Sequence, residues 1–179
     1  MEFVEFPKIH RLSRDIVVTE KIDGTNGCIG ISDDGTEMFV GSRSRWLSPG
    51  QDNHGFLTWA LFNKEELLTL GPGRHYGEWW GQGIQRRYGL TEKRFSLFNV
   101  ARWGEARPAC CGVVPVLYRG SFSTGAVTLC LTQLVTEGSA AAPGFMKPEG
   151  VVVFHTQGNV AFKKTIEKDD APKSMQVAP

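Results

Sequence analysis

The sequence contains no run of about eighteen apolar residues, and it opens with Glu2 and Glu5 where a targeting segment would place basic residues ahead of an apolar stretch. Those absences lead to the expectation of a soluble, cytoplasmic protein without a membrane-spanning helix or a leader peptide. Charge of one sign is also lacking. Lys+Arg number 20 and Asp+Glu 19, so no overall basic field drives non-specific nucleic-acid binding, and any such contact must use a local patch. Cysteine is scarce: Cys28, Cys110, Cys111 and Cys130 show no C-x-x-C spacing and no paired histidine, which excludes a structural zinc site. The vicinal Cys110 and Cys111 read as buried or idle thiols.

What is present is a globular composition, 41% hydrophobic and 22% charged, in a length suited to one domain. Stretches rich in β-branched and aromatic residues predict strands over residues 16–20, 27–32, 37–42, 75–80, 95–101, 113–118, 151–155 and 160–164. Asp33-Asp34-Gly35 and Gln157-Gly158-Asn159 read as hairpin turns. Helical spacing predicts one helix over 56–70, started near Asp52 or Asn53, and a second over 125–137. The second has Ser123 or Thr124 as its cap, Gly138 as its stop, and Val127, Leu131, Leu134 and Val135 facing a sheet. The sum is an α+β domain of antiparallel sheets flanked by helices, over residues 1–166, with a polar tail at 167–179.

Glycine, 21 of 179 residues, clusters beside charged residues at strand ends, a placement that suits backbone approaching a ligand. The sharpest such place is Glu20-Lys21-Ile22-Asp23-Gly24-Thr25-Asn26, where an apolar strand delivers a lysine into a short turn. A shielded amine that has lost its proton is a nucleophile toward phosphorus or carbonyl carbon, whereas a lysine at an ordinary strand end reaches solvent. Further segments follow in order, each ending a predicted strand. Arg43 and Arg45 stand in Ser-Arg-Ser-Arg, Glu78 in Tyr-Gly-Glu-Trp, Phe98 in Leu-Phe-Asn-Val, Glu149 in Pro-Glu-Gly-Val, and Lys163 and Lys164 in Phe-Lys-Lys-Thr. Trp79 and Trp80 are expected on opposite faces of their strand, one buried and one near the mouth of a cleft. The four histidines have no partner recognisable from spacing.

With these segments in this order, the chain resembles the covalent nucleotidyltransferases, the superfamily of DNA and RNA ligases and messenger-RNA capping enzymes. Within it the chain is similar to ATP-dependent RNA ligases of the RNA ligase 2 type, because Gly24 is followed by Thr25-Asn26 where DNA ligases and capping enzymes carry an arginine. The resemblance implies a nucleotidyltransferase domain of the ATP-grasp-like ligase fold; most of the family append a further domain, and the length of this sequence leads to the expectation of none, no C-terminal OB domain included. It implies Lys21 as the residue that takes AMP from ATP, Glu78 and Glu149 as acids holding Mg²⁺ or Mn²⁺, and Phe98 as a stacking partner for adenine. Lys163, with Lys164, would neutralise phosphate, and Arg43 would contact phosphate or ribose ahead of Arg45. Glu20, Ile22 and Asn26 would complete the nucleotide site.

The implied substrates are RNA ends bearing a 5′-phosphate and a 3′-hydroxyl, handled by a monomer in a bacterial or phage-infected cell, with an accessory protein or domain supplying further grip. Thr165 stands where a second lysine two residues after Lys163 is usual, which leaves open which of Lys163 and Lys164 meets the phosphate. Two alternatives stay open beside this one: a DNA ligase or capping module, and a module that binds nucleotide or nucleic-acid ends without sealing them.

Overall fold

The computed structural model of the protein describes residues 1–167 and 169, so most of the expected tail lies outside the described residues. Among the described residues, nine strands and three helices follow one another in the order β1 (Asp15–Lys21), β2 (Thr25–Ile31), β3 (Met38–Gly41), α1 (Phe56–Phe62), α2 (Lys64–Leu68), β4 (Gly73–Gly81), β5 (Lys93–Leu97), β6 (Cys111–Val113), β7 (Val116–Ser121), α3 (Thr124–Glu137), β8 (Gly150–His155) and β9 (Val160–Thr165). They form two sheets. One runs β7-β1-β8-β9 and is antiparallel throughout, and the other runs β3-β2-β4-β5-β6 with β5 and β6 parallel. No helix among the described residues is long and apolar enough to cross a membrane.

Each sheet has its own core. In the four-stranded sheet, alternation along β1 sends Ile16 and Val18 to one face, where they meet Val151 and Val153 of β8 and Val127, Cys130 and Leu134 of α3. Helix α3 is capped by the Ser123 side chain, which accepts from the Ala126 amide at 3.3 Å, and is stopped by Gly138 at φ 87°. Val135, expected to face the sheet, is exposed, and Cys130 takes the inward place. In the five-stranded sheet, Ile29, Ile31, Val40, Trp79, Phe95 and Leu97 face α1 and α2, with Phe56, Ala60 and Leu67 closing the core. A third, smaller cluster of Ile22, Trp80, Tyr88, Val114 and Ala142 joins the sheets near the β1–β2 link.

Three departures from the expected elements have local causes. The helix predicted over 56–70 is broken because Asn63 turns its side-chain amide back onto the Trp59 carbonyl (2.8 Å), competing with the backbone for that acceptor. Its N-cap is Gly55 at φ 85°, and Asp52 and Asn53 stand near the start as expected, where the Asp52 carboxylate accepts from the Thr58 amide and hydroxyl and the Asn53 carbonyl from the Phe56 amide. The strand predicted over 113–118 divides into β6 and β7 of different sheets across Pro115, which has no N–H to donate and whose carbonyl accepts from the Glu20 amide at 2.9 Å. The strand predicted over 95–101 ends at Leu97, because the Asn99 side chain accepts from the amides of Ala101 and Arg102 and rolls the chain into a turn.

Gly27 lies on the core face of β2 beneath α1, where a Cβ would stand 2.6 Å from Phe56 Cζ and 2.9 Å from Phe95 Cε2. Gly27→Ala is therefore expected to overpack this core and lower stability by about 1–3 kcal/mol, read as a reduced midpoint in urea with an unchanged slope.

Candidate active site

Lys21 is the last residue of β1, directly opposite Gly150 of β8, and its neighbour in space is the residue before that glycine. Lys21 Nζ donates to Glu149 Oε2 at 2.6 Å, with 19% of the lysine side chain and 6% of the glutamate exposed. Strand alternation decides what shares this face. Thr19 and Lys21 of β1 lie in rows with Val152 and Gly150 of β8, and those with Lys163 and Thr165 of β9. Lys163 therefore stands on the Lys21 face of the sheet. Lys164, one residue on, stands on the α3 face, and its ammonium binds the Asp169 carboxylate at 3.1 Å.

The same alternation turns the side chain of Glu20 away from Lys21. Its buried carboxylate accepts from the Ser139 hydroxyl at 2.6 Å and the Ala141 amide at 2.8 Å, and burial raises its pKa above the ordinary carboxylate value. Glu20 thus ties β1 to the connection after α3. The side chain of Ile22 is likewise packed in the small cluster between the sheets.

The link from β1 to β2 is held from several sides. The Gly24 amide donates to Glu78 Oε1 at 2.9 Å, and Asn26 Nδ2 donates to Glu78 Oε2 at 3.1 Å. Gly24 must be glycine, because a Cβ there would lie 2.4 Å from the Trp79 carbonyl oxygen and 2.8 Å from Trp80 Cβ. The Asp23 amide donates to the Tyr88 hydroxyl at 2.7 Å, while Arg86 bonds both the Asp23 carboxylate and the Lys147 carbonyl, joining this link to the segment that leads to Glu149. Asn53 adds a bond to the Asn26 carbonyl. Arg86, Tyr88, Ser139 and Asn53 were not among the site residues expected from sequence. Two of them left a trace there, since Arg86 and Tyr88 fall in the polar, glycine-flanked stretch after Trp80.

On the five-stranded sheet, Asn26 pairs with Glu78 and Glu78 with Ser96, so the three share one face. Trp79 and Trp80 do point to opposite faces, but both are buried, Trp80 by its indole N–H bond to the Ser96 hydroxyl (2.9 Å) and its packing on Tyr88. Phe98 follows β5 and is exposed beside Tyr76, whose carbonyl accepts the Phe98 amide at 2.9 Å. Arg43 and Arg45 lie in the exposed turn after β3, closed by a bond from the Ser42 amide to the Arg45 carbonyl.

The structure thus brings Lys21, Glu149, Glu78, Asn26 and the face carrying Lys163 together and turns the side chains of Glu20, Ile22 and Lys164 elsewhere. Among the described residues no group of three or more His, Cys, Asp or Glu side chains is arranged to hold a metal. Two acids are available. Mg²⁺ and Mn²⁺ suit such a set when phosphate oxygens and water complete the shell.

Glu78 is the most perturbed acid of this site. Burial pushes its pKa from 4.5 up to about 7, against the Gly24 amide and the Lys21 charge, while Glu149 and Asp23 push it further up. Because the folded value exceeds the unfolded one, the contribution of Glu78 to stability is fully present below pH 4.5 and is lost as pH rises through about 7. The stability difference between the unsubstituted chain and Glu78→Gln is expected to change across this window and to level off above it, measured by urea unfolding at a series of pH values.

A model of the RNA ligase family matches residues 14–168. Among solved structures, a variant of the Naegleria gruberi RNA ligase with ATP and Mn superposes with a TM-score of 0.63 at 20% identity, over 84% of this chain and 48% of that one. The Naegleria gruberi RNA ligase with PPi gives 0.62 at 20% identity, over 86% and 50%, and another variant with AMP and Mn gives the same figures. The chain therefore spans about half the length of the solved structures it matches. Comparison with curated proteins gives no match. With the matched segment running from just before β1 to just after β9, the chain belongs to the RNA ligase family.

Proposed function

We propose that this chain is the adenylylating domain of an ATP-dependent RNA ligase, with Lys21 as the residue that carries AMP. The observation that carries the reading is the Lys21–Glu149 pair at 2.6 Å, which holds a partly shielded amine at the mouth of a glycine turn with a second lysine, Lys163, on the same sheet face. In the first step the Lys21 amine, once it has given up its proton, attacks the α-phosphorus of ATP. A P–N bond forms, the bond to the bridging oxygen breaks and pyrophosphate leaves. AMP then passes to the 5′-phosphate of an RNA strand, restoring the amine. A 3′-hydroxyl finally attacks the activated 5′-phosphorus and expels AMP.

The chain's residues divide this work. Lys163 offers positive charge to the phosphate oxygens as negative charge builds on them. Arg43 is the candidate for a bidentate contact to phosphate or ribose, and Phe98 presents an exposed ring to adenine. Glu78 acts chiefly as a clamp, holding the Gly24 amide and the Asn26 side chain so that Lys21 meets the phosphate at a fixed angle. Mg²⁺ or Mn²⁺ held by Glu149 and phosphate oxygens would supply charge neutralisation at the reacting phosphate. Support for ATP and a divalent ion comes from the solved RNA ligases of the same fold that carry ATP or AMP with Mn.

Incubation with ATP and Mg²⁺, followed by intact-mass measurement under denaturing conditions, is expected to show a gain of one AMP that is absent with GTP and absent in Lys21→Ala. Full adduct formation by Lys21→Ala would exclude this lysine. Lys163→Ala is expected to slow the adduct about a hundred-fold, whereas Lys164→Ala, on the other sheet face, leaves the rate near that of the unsubstituted chain. Equal losses in the two variants would remove the distinction drawn from strand register.

A further inference from the structure

The Glu78 face of the five-stranded sheet continues beyond the candidate active site into an open groove of about 590 Å³, lined by Gly30, Phe39, Trp46, Arg74 and Tyr76 among others. Register explains why these residues meet. Tyr76 and Arg74 lie two and four residues from Glu78 on β4, opposite Cys28 and Gly30 of β2, and Gly30 lies opposite Phe39 of β3. Trp46 folds back over this face, bridging to Gly41, with its ring on bare backbone. A Cβ at Gly30 would come within 2.7 Å of Trp46 Cη2, and one at Gly41 within 3.0 Å of Cε3.

The two glycines thus form a seat that fits an indole, yet the ring is not buried there. Trp46 is 48% exposed, Tyr76 53% and Phe39 45%, and Phe39 and Trp46 touch with ring centroids 5.7 Å apart. Aromatic rings this large are ordinarily removed from water, and three held at one groove form a patch with unmet stacking capacity. Phe98, exposed beside Tyr76, extends the row across the sheet toward the candidate adenine position.

Charge around the groove selects the occupant. Arg74 lines it and Arg45 immediately precedes Trp46, and neither takes part in an ion pair among the described residues. Asp33 is the acid on the lining. Exposed rings beside unpaired guanidinium groups, on a sheet whose other end carries the candidate phosphate chemistry, match a nucleic-acid strand whose bases stack while its phosphates meet arginine. We infer that Trp46, Tyr76 and Phe39, with Arg74, form a stacking platform for a nucleobase of the single-stranded RNA whose end is to be sealed. The inference rests on the RNA ligase reading and adds to it a strand-binding surface outside the adenylate site.

Affinity for a short single-stranded oligouridylate, followed by fluorescence anisotropy, tests this beside a strand of equal length and charge built from abasic residues. Trp46→Ala is expected to weaken binding of the base-bearing strand about ten-fold and to leave the abasic strand unaffected, because one base–ring stack is lost and no phosphate contact is. Trp46→Phe is expected to recover most of the affinity, and Gly30→Ala, which unseats the indole, to reproduce much of the loss. Equal affinity of Trp46→Ala and the unsubstituted chain for the base-bearing strand would overturn the platform, as would an equal loss for both strands. A loss seen only as a higher ATP requirement for lysyl-AMP formation would overturn it too, by giving the groove to ATP. Lysyl-AMP formation without RNA, measured in parallel, tests the ligase reading separately, so failure there and failure of the stacking comparison are told apart.

Discussion

Glu78 spends both carboxylate oxygens on the connection between β1 and β2, and the geometry of the cleft depends on that clamp. The two sheets have separate cores, so the Ile22-Asp23-Gly24 link would be a loose hinge if nothing held it. Glu78 fixes it from the five-stranded sheet, Tyr88 and Arg86 fix it from the segment after β4, and Ile22 is packed between them. Only a glycine fits at the tightest point, where the chain passes against the Trp79 carbonyl. Lys21 therefore emerges from a rigid strand into a rigid turn, with its ammonium held on Glu149.

The clamp has an electrostatic consequence. A carboxylate buried among Gly24, Asn26 and two further acids is held well above its ordinary pKa, and its charge is stabilised by the same amide and by Lys21. The ion pair of Lys21 with Glu149 adds a second coupling, across the β1–β8 register, so the nucleophile candidate is tied to one sheet and its turn to the other. Arg86 closes the circuit by bonding Asp23 and the Lys147 carbonyl two residues before Glu149. Displacement of any one member would be felt by the others.

Much of this was legible in the linear order of residues, and where it was not, the reason is physical. Strands are signalled by local composition, so their existence was readable, but β6 and β7 read as one strand because sheet membership is decided by partners far away in sequence. Asn63 looked like an ordinary helix position until its side chain was seen on the Trp59 carbonyl. One of Trp79 and Trp80 was expected near a cleft mouth, yet Trp79 packs in the core of the five-stranded sheet and a hydrogen bond to Ser96 and contact with Tyr88 bury Trp80. Arg86 and Tyr88 act on Asp23 from more than sixty residues away, and no spacing rule connects them.

The sequence by itself determined the α+β class and the order of the strand-end segments, because each depends on neighbours a few positions apart. Tertiary structure decided which of those residues face one another. The two-residue period of a strand sends Lys21 to the cleft and Glu20 to Ser139, and Lys163 to the Lys21 face and Lys164 to the α3 face. That outcome follows from hydrogen-bond register between β1 and β8, strands more than a hundred residues apart in the chain, carried on to β9 by the β8–β9 hairpin, and register is set by the burial of whole faces.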